Sequence, residues 1–457
     1  MFFVAFFFIT YFNFNVCGGW MNPIKRFNIR DREFRQPVIY YKLPDEQKKT
    51  IQKLNGFFGM IGPDVNMSTV TTLYELFSSD GNIHGVFFQN GKLTYLKHFI
   101  RTDKLVFEEK FGKISNNFLV TAFLMGLYEM GAFINIMGLA NTAILNVNRT
   151  GYYALFERDV PYSLFIDFYK ARILTNRKKC IPGVSSLSGH TKYNNVSNMI
   201  DTIQYNVLTK CVDYFNMTSR FEILKKHSLY TNYLPLVHDF LLLENRILIT
   251  DSPFSFKFNR FSKNPVILDN TKPTKIHILN TISGEVETYE SPESFYIFHY
   301  AQHLENSTHI EIYASVYDKF DYSSISIDGK YRKLVIDKQK RTVSIVKNPA
   351  LEKYNLDFPI HYKEQIVLRN LFKNTINGFV ICNGLEIEDT IFVKNKYICG
   401  EHVIKEIAGV PHILVFAYDD LQRGFLLIIN MWNSEIIEIA LNNTVNIGFH
   451  SIFVDPF

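Results

Sequence analysis

The sequence predicts an all-β fold. Three observations carry that prediction: short runs of β-branched and aromatic residues recur along most of the chain, tight-turn dipeptides bound them, and few stretches show helical periodicity. In chain order, Asn90-Gly91 separates GVFFQ from KLTYLKHF, Thr150-Gly151 precedes YYALFE, and Ser283-Gly284 divides HILNTI from EVETY. Asp328-Gly329 divides SSISI from KYRKLVID, and Asn377-Gly378 precedes FVIC. Asn-Gly and Asp-Gly supply the positive φ of a two-residue loop, so these sites are expected to be hairpin turns. The pattern fits a sandwich, a barrel or a propeller, and no fixed-period repeat selects among them.

Composition narrows the function classes. A chain of 457 residues, 47% hydrophobic and 20% charged, is neither disordered, collagenous nor a polytopic membrane protein. Its net charge of +5, spread without a basic stripe, implies no nucleic-acid partner. The length allows about three domains or one large closed β architecture. Cys17, Cys180, Cys211, Cys382 and Cys399 show neither a CxxC pair nor zinc spacing, and free thiols or one or two bridges both fit.

Two segments depart from the β pattern. Met1 to Val16 is almost wholly apolar and is followed by Cys17-Gly18-Gly19, so residues 1–19 read as a signal-like or anchor segment. A basic stretch with Lys25, Arg26, Arg30, Arg32 and Arg35 follows, which gives an organelle address as a second form of the same entry signal. Secretory or organelle entry with peripheral membrane attachment is the expected localisation; a cytoplasmic, membrane-associated protein is the alternative. Phe118 to Leu145 carries one charge, Glu129. It reads as a buried helix plus strand, as an apolar surface element dipping into a membrane near residues 118–139, or as a transmembrane helix.

Among thirteen histidines, four have distinctive settings: His190 in SLSGHTKY, His238 in LPLVHDFLLLEN, His299 in SFYIFHYAQHLE and His450 in NIGFHSIFVDPF. No local metal motif links them, but ligands this far apart suit a propeller in which each strand-rich unit sends one residue to a central axis. His303 cannot share a metal with His299 if both lie on one strand, because four residues span roughly 13 Å.

These four motifs, in this order, resemble the carotenoid cleavage oxygenase family from about Leu54 to Phe457. LNGFFGMIGP, LFSSDGNIHGVFFQNGKLTY, ANTAILNVNRTGYYALFERDVPY, LDFPI and CGEHVI are similar to the family's remaining blocks, and the ANTA and DFP forms lean toward its plant-type branch. The resemblance implies one domain over residues 20–457, a seven-bladed β-propeller with axial iron, capped by loops and short helices that form an apolar tunnel. The 42 Phe and 26 Tyr accord with such a tunnel. His190, His238, His299 and His450 would bind one Fe2+; Glu157, Asp357 and Glu401 would accept the outer N–H of three of them. Four neutral imidazoles leave room at an octahedral ion for dioxygen, the implied co-substrate, and outer acceptors fix each ring's tautomer. The implied reaction is cleavage of a carotenoid or apocarotenoid double bond to carbonyl products. A retinoid-type isomerase on the same site and a non-enzymatic propeller holding an apolar ligand are the alternatives. Leu243 and Gln302 replace the family's usual Thr and Asn and alter the surroundings of the site.

Overall fold

The computed structural model describes residues 33–65, 69–114, 118–130, 137–256, 266–371 and 377–456. The leader-like segment, Cys17 and the basic residues up to Arg32 lie outside them. The described chain is all-β and propeller-like, with a few short helices. Consecutive antiparallel sheets follow one another along the sequence: four strands over residues 143–178, four over 192–230, eight over 241–346, four over 356–392 and five over 397–440. The eight-stranded sheet consists of two four-stranded runs that meet only at the parallel pair Glu290 and Thr342. A two-stranded ribbon pairs Phe254–Phe256 with Val266–Leu268.

The remaining sheet closes the chain on itself. Ser451–Val454 pairs antiparallel with Gly56–Pro63, which continues through Gly81–Gln89 and Lys92–Phe99 to Phe34–Val38. Every residue of Gly56–Pro63 is buried. Because side chains alternate along a strand, Phe58 and Met60 enter one apolar cluster while Phe57 and Ile61 enter another. This strand is thus a wall between two cores, which explains its unbroken hydrophobic sequence.

Function depends on the sheet edges. Ala143–Val147, Lys192–Asn194, Leu241–Leu243, Tyr296–Glu305, Leu356–Tyr362, Tyr397–Ile398 and Ser451–Val454 are all edge strands. Several touch in succession: Tyr296–Glu305 meets Leu356–Tyr362, which meets Val403–Ile407, which meets Ser451–Val454, which meets Ala143–Val147, which meets Lys192–Asn194. The edges therefore gather around a common axis.

Of the expected hairpin turns, Asn90-Gly91 has φ of 48° and 76° and joins two paired strands. Gly284, at φ 79°, turns the chain between Lys275–Asn280 and Val286–Glu290. At Thr150-Gly151 the turn lies slightly earlier, with positive φ at Asn148 and Arg149. Asp328-Gly329 is not a hairpin turn. SSISI forms no strand, and Lys330–Asp337 pairs instead with His309–Tyr317; the Gly329 N–H is held by Asn355 Oδ1 at 2.7 Å. Asn377-Gly378 opens a strand, but the connection from its partner Gln365–Asn370 is longer than two residues.

The apolar insert forms the helix Phe118–Glu129, followed further on by the strand Ala143–Val147. Leu119 and Phe123 on the helix and Met130 just after it are exposed, which a buried helix would not permit. No helix among the described residues is long and apolar enough to cross a membrane. The four described cysteines are free, Cys382 and Cys399 being buried.

Candidate metal centre

The four histidines reach one point from four different edges. His190 lies in a turn just before Lys192–Asn194, and His238 lies in the extended segment leading into Leu241–Leu243. His299 lies within Tyr296–Glu305, where the register slips between Ile297 and Tyr300 and again before Gln302. Such bulges re-aim side chains, and this one serves His299. His450 directly precedes Ser451–Val454. One ring nitrogen from each of the four lies within 4.8 Å of the others. His303, half-buried on the same strand as His299, is not in the group.

Close backbone approach makes room for this. A Cβ on Gly189 would lie 2.6 Å from Thr142 Cγ2, so glycine is required next to His190. Glu157 Cγ would be 3.5 Å from the same position.

Three of the rings are held from behind by carboxylates. His238 Nδ1–H donates to Glu157, His299 Nδ1–H to Asp357 Oδ1 at 2.7 Å, and His450 Nδ1–H to Glu401 Oε1 at 3.1 Å. The carboxylates are themselves fixed: Tyr205 donates to Glu157 at 3.2 Å, Tyr317 to Asp357 Oδ2 at 2.5 Å, and the Ser451 N–H to Glu401 Oε2 at 2.9 Å. Among the described residues His190 has no such partner. Its Nδ1 is 3.9 Å from Asp239, which is already engaged by Lys192 at 2.8 Å.

This pattern sets the tautomers. A ring that gives its Nδ1 proton to a carboxylate presents a bare Nε2 lone pair on the other side. The His299 Nε2 is buried with no hydrogen-bond partner among the described residues. His190 Nε2 and His238 Nε2 lie 3.0 Å apart. Two metal–imidazole bonds of about 2.1 Å at a right angle span about that separation. A nitrogen-only donor set with an orphaned buried lone pair suits a transition-metal ion such as Fe2+.

Electrostatics favour the same occupant. Burial and then the neighbouring imidazoles push the His190 pKa well below its usual value, so this ring stays neutral. At His238 burial opposes the charged form, but the Glu157 carboxylate outweighs it and raises the pKa. Burial also opposes ionisation of Asp357 and Glu401, yet their histidine partners and the donated N–H groups hold both below the usual carboxylate range. Three rings backed by carboxylate and one held neutral form a ready ligand set.

Beside this centre lies an aromatic wall. The Phe298 ring is 4.9 Å from His238 and packs on Tyr296, Phe320 and Phe77. Leu243 is buried in a separate apolar cluster, and Gln302 is partly buried and paired with Tyr313. A cleft of about 410 Å³ lies between Glu129, Arg158, Tyr205 and Lys226. It is polar, so it is not the apolar passage expected from the sequence.

Fold and site define a class: a propeller-like all-β protein whose sheet edges converge four imidazoles on one metal-sized point. The family model described as retinal pigment epithelial membrane protein matches residues 52–371, and the chain belongs to that family, the carotenoid cleavage oxygenases. Among its relatives is the carotenoid 9,10(9',10')-cleavage dioxygenase 1 of Pisum sativum, 26% identical over 288 residues that cover 56% of this chain and 50% of that protein. The Arabidopsis thaliana enzyme of the same name is 24% identical over 305 residues, 60% and 54% of the two chains. The chain thus spans about half the length of the curated relatives it matches. Solved structures of a Synechocystis apocarotenoid oxygenase, one cobalt-substituted, share the fold at a TM-score of 0.71 and 16% identity, covering 93% of this chain and 96% of theirs.

Tyr205 and Tyr317 escaped the sequence reading. Nothing local marks them; each is a strand aromatic whose carboxylate partner is supplied by another part of the chain.

Proposed function

We propose that this chain is an iron(II)-dependent dioxygenase that cleaves a double bond of a carotenoid or apocarotenoid to two carbonyl products. The observation that carries the reading is the meeting of His190, His238, His299 and His450, three of them backed by Glu401, Asp357 and Glu157. These four side chains would hold the ion, which supplies the activation of dioxygen. The names of the pea and Arabidopsis relatives support the substrate class.

The protein's own groups do the rest. Glu157, Asp357 and Glu401 keep each Nδ1 protonated and each Nε2 turned inward. The aromatic wall of Phe298, Tyr296 and Phe77 suits the π face of a polyene and keeps water from the centre. We read the eight-stranded sheet as two blades joined at one residue pair, which makes the propeller seven-bladed. We also assign the exposed Leu119 and Phe123 to contact with a lipid surface, where such substrates partition.

Aerobic incubation of the iron-loaded protein with a carotenoid panel and labelled dioxygen tests the reading. Carbonyl products carrying the label are expected. An isomerised, unlabelled product, or substrate recovered unchanged from the whole panel, would contradict it.

A further inference from the structure

Arg369 lies directly across the strand pair from Asp357 and is only 6% exposed. No carboxylate pairs with it among the described residues, and its Nε is buried without a hydrogen-bond partner. A buried cation left in this state is expensive for a fold, because burial removes its hydration and no ion pair replaces it. Burial pushes its pKa down to about 10, against the pull of nearby Asp357.

What it touches is informative. The guanidinium lies 5.3 Å from the centre of the Phe358 ring. Phe358 has a φ of 53°, a left-handed backbone rarely adopted by a bulky side chain, at a register slip between Asp357 and Ile360. This backbone places its ring 5.1 Å from His299 and 5.7 Å from His450. It also turns the Phe358 N–H onto Asp357 Oδ1 at 2.8 Å, the same oxygen that accepts from His299. The Phe358 ring is therefore in contact with both the Arg369 guanidinium and two of the imidazoles.

We propose that Arg369 is a positioning residue of the four-histidine centre. Through the Phe358 ring and the Asp357 carboxylate it fixes the orientation of His299 and His450, at a cost to the stability of the fold. The inference rests on the metal-centre reading above. It predicts opposite effects on two properties, which a purely structural residue would not give.

The test uses the full chain with cobalt(II) as the metal probe. Arg369→Met keeps length while removing charge and plane; Arg369→Lys keeps charge alone; Phe358→Leu removes the ring. The metal-free Arg369→Met protein is expected to unfold at the same or a higher temperature than wild type. Its cobalt affinity should fall roughly 10–100-fold, the usual effect of losing a partner behind a ligand, with a changed visible band pattern. Phe358→Leu should give the same spectral change, and Arg369→Lys should recover part of the affinity. An Arg369→Met protein that is less stable or fails to fold, or one that binds cobalt with wild-type affinity and spectrum, overturns the proposal. Wild-type protein that binds no cobalt overturns instead the metal-centre reading beneath it.

Discussion

His299 and His402 are both buried imidazoles with a carboxylate nearby, yet their surroundings differ in kind. His299 gives one nitrogen to Asp357 and turns the other toward three more rings. His402, one residue past Glu401, has neither nitrogen hydrogen-bonded among the described residues and packs edge-on against Phe379 at 4.8 Å. Burial holds its pKa down to about 3, so it is a neutral core ring. Burial of a histidine is therefore not evidence of a metal ligand. Convergence with other rings is what separates the two regions, and at His299 an acceptor behind the ring accompanies it.

The contrast is sharpest under deletion. His299→Ala should remove iron binding, a loss beyond the roughly 100-fold that an outer partner costs, whereas His402→Leu should leave iron affinity at the wild-type value. Anaerobic iron titration measures both, and equal behaviour of the two variants would erase the distinction.

The carboxylates come next. Glu401→Gln removes the charge behind His450 and should weaken iron binding roughly 10–100-fold. Asp239→Asn should change it less than about tenfold, because a 3.9 Å separation from His190 is too long for a hydrogen bond. A larger effect at Asp239 than at Glu401 would show that His190 depends on a partner the geometry does not give it.

The smallest effect is on stability. Because the folded His402 pKa is far below its unfolded value near 6.5, acid protonates the unfolded chain first and stability falls with pH below about 6.5. At pH 5 this one group should cost about 2 kcal/mol relative to neutral pH, and His402→Leu should remove that slope. Urea unfolding at pH 7 and pH 5 measures it; parallel curves for both proteins would return His402 to the functional group.

Much of this was legible in the sequence. The four histidines that the structure brings together, and the three carboxylates behind them, could be named because each sits in its own short block, read in order through a family resemblance. Asn90-Gly91 was legible because a two-residue loop is a local matter. Asp328-Gly329 was not: the partner of Lys330–Asp337 is chosen by packing of the whole sheet, and the dipeptide alone says nothing of it. Arg369 was hidden for the same reason. In sequence it is an ordinary strand cation, and only strand register sets it opposite Asp357. The helix Phe118–Glu129 is apolar enough to read as core, and only the fold shows that Leu119 and Phe123 face outward.

X-ray absorption on the iron-loaded protein tests the central claim most directly, because multiple scattering from imidazole rings counts the histidines on the metal. The account predicts four imidazoles and no carboxylate oxygen from Glu157, Asp357 or Glu401. Three or fewer imidazoles, or a protein carboxylate bound to the iron, would contradict it.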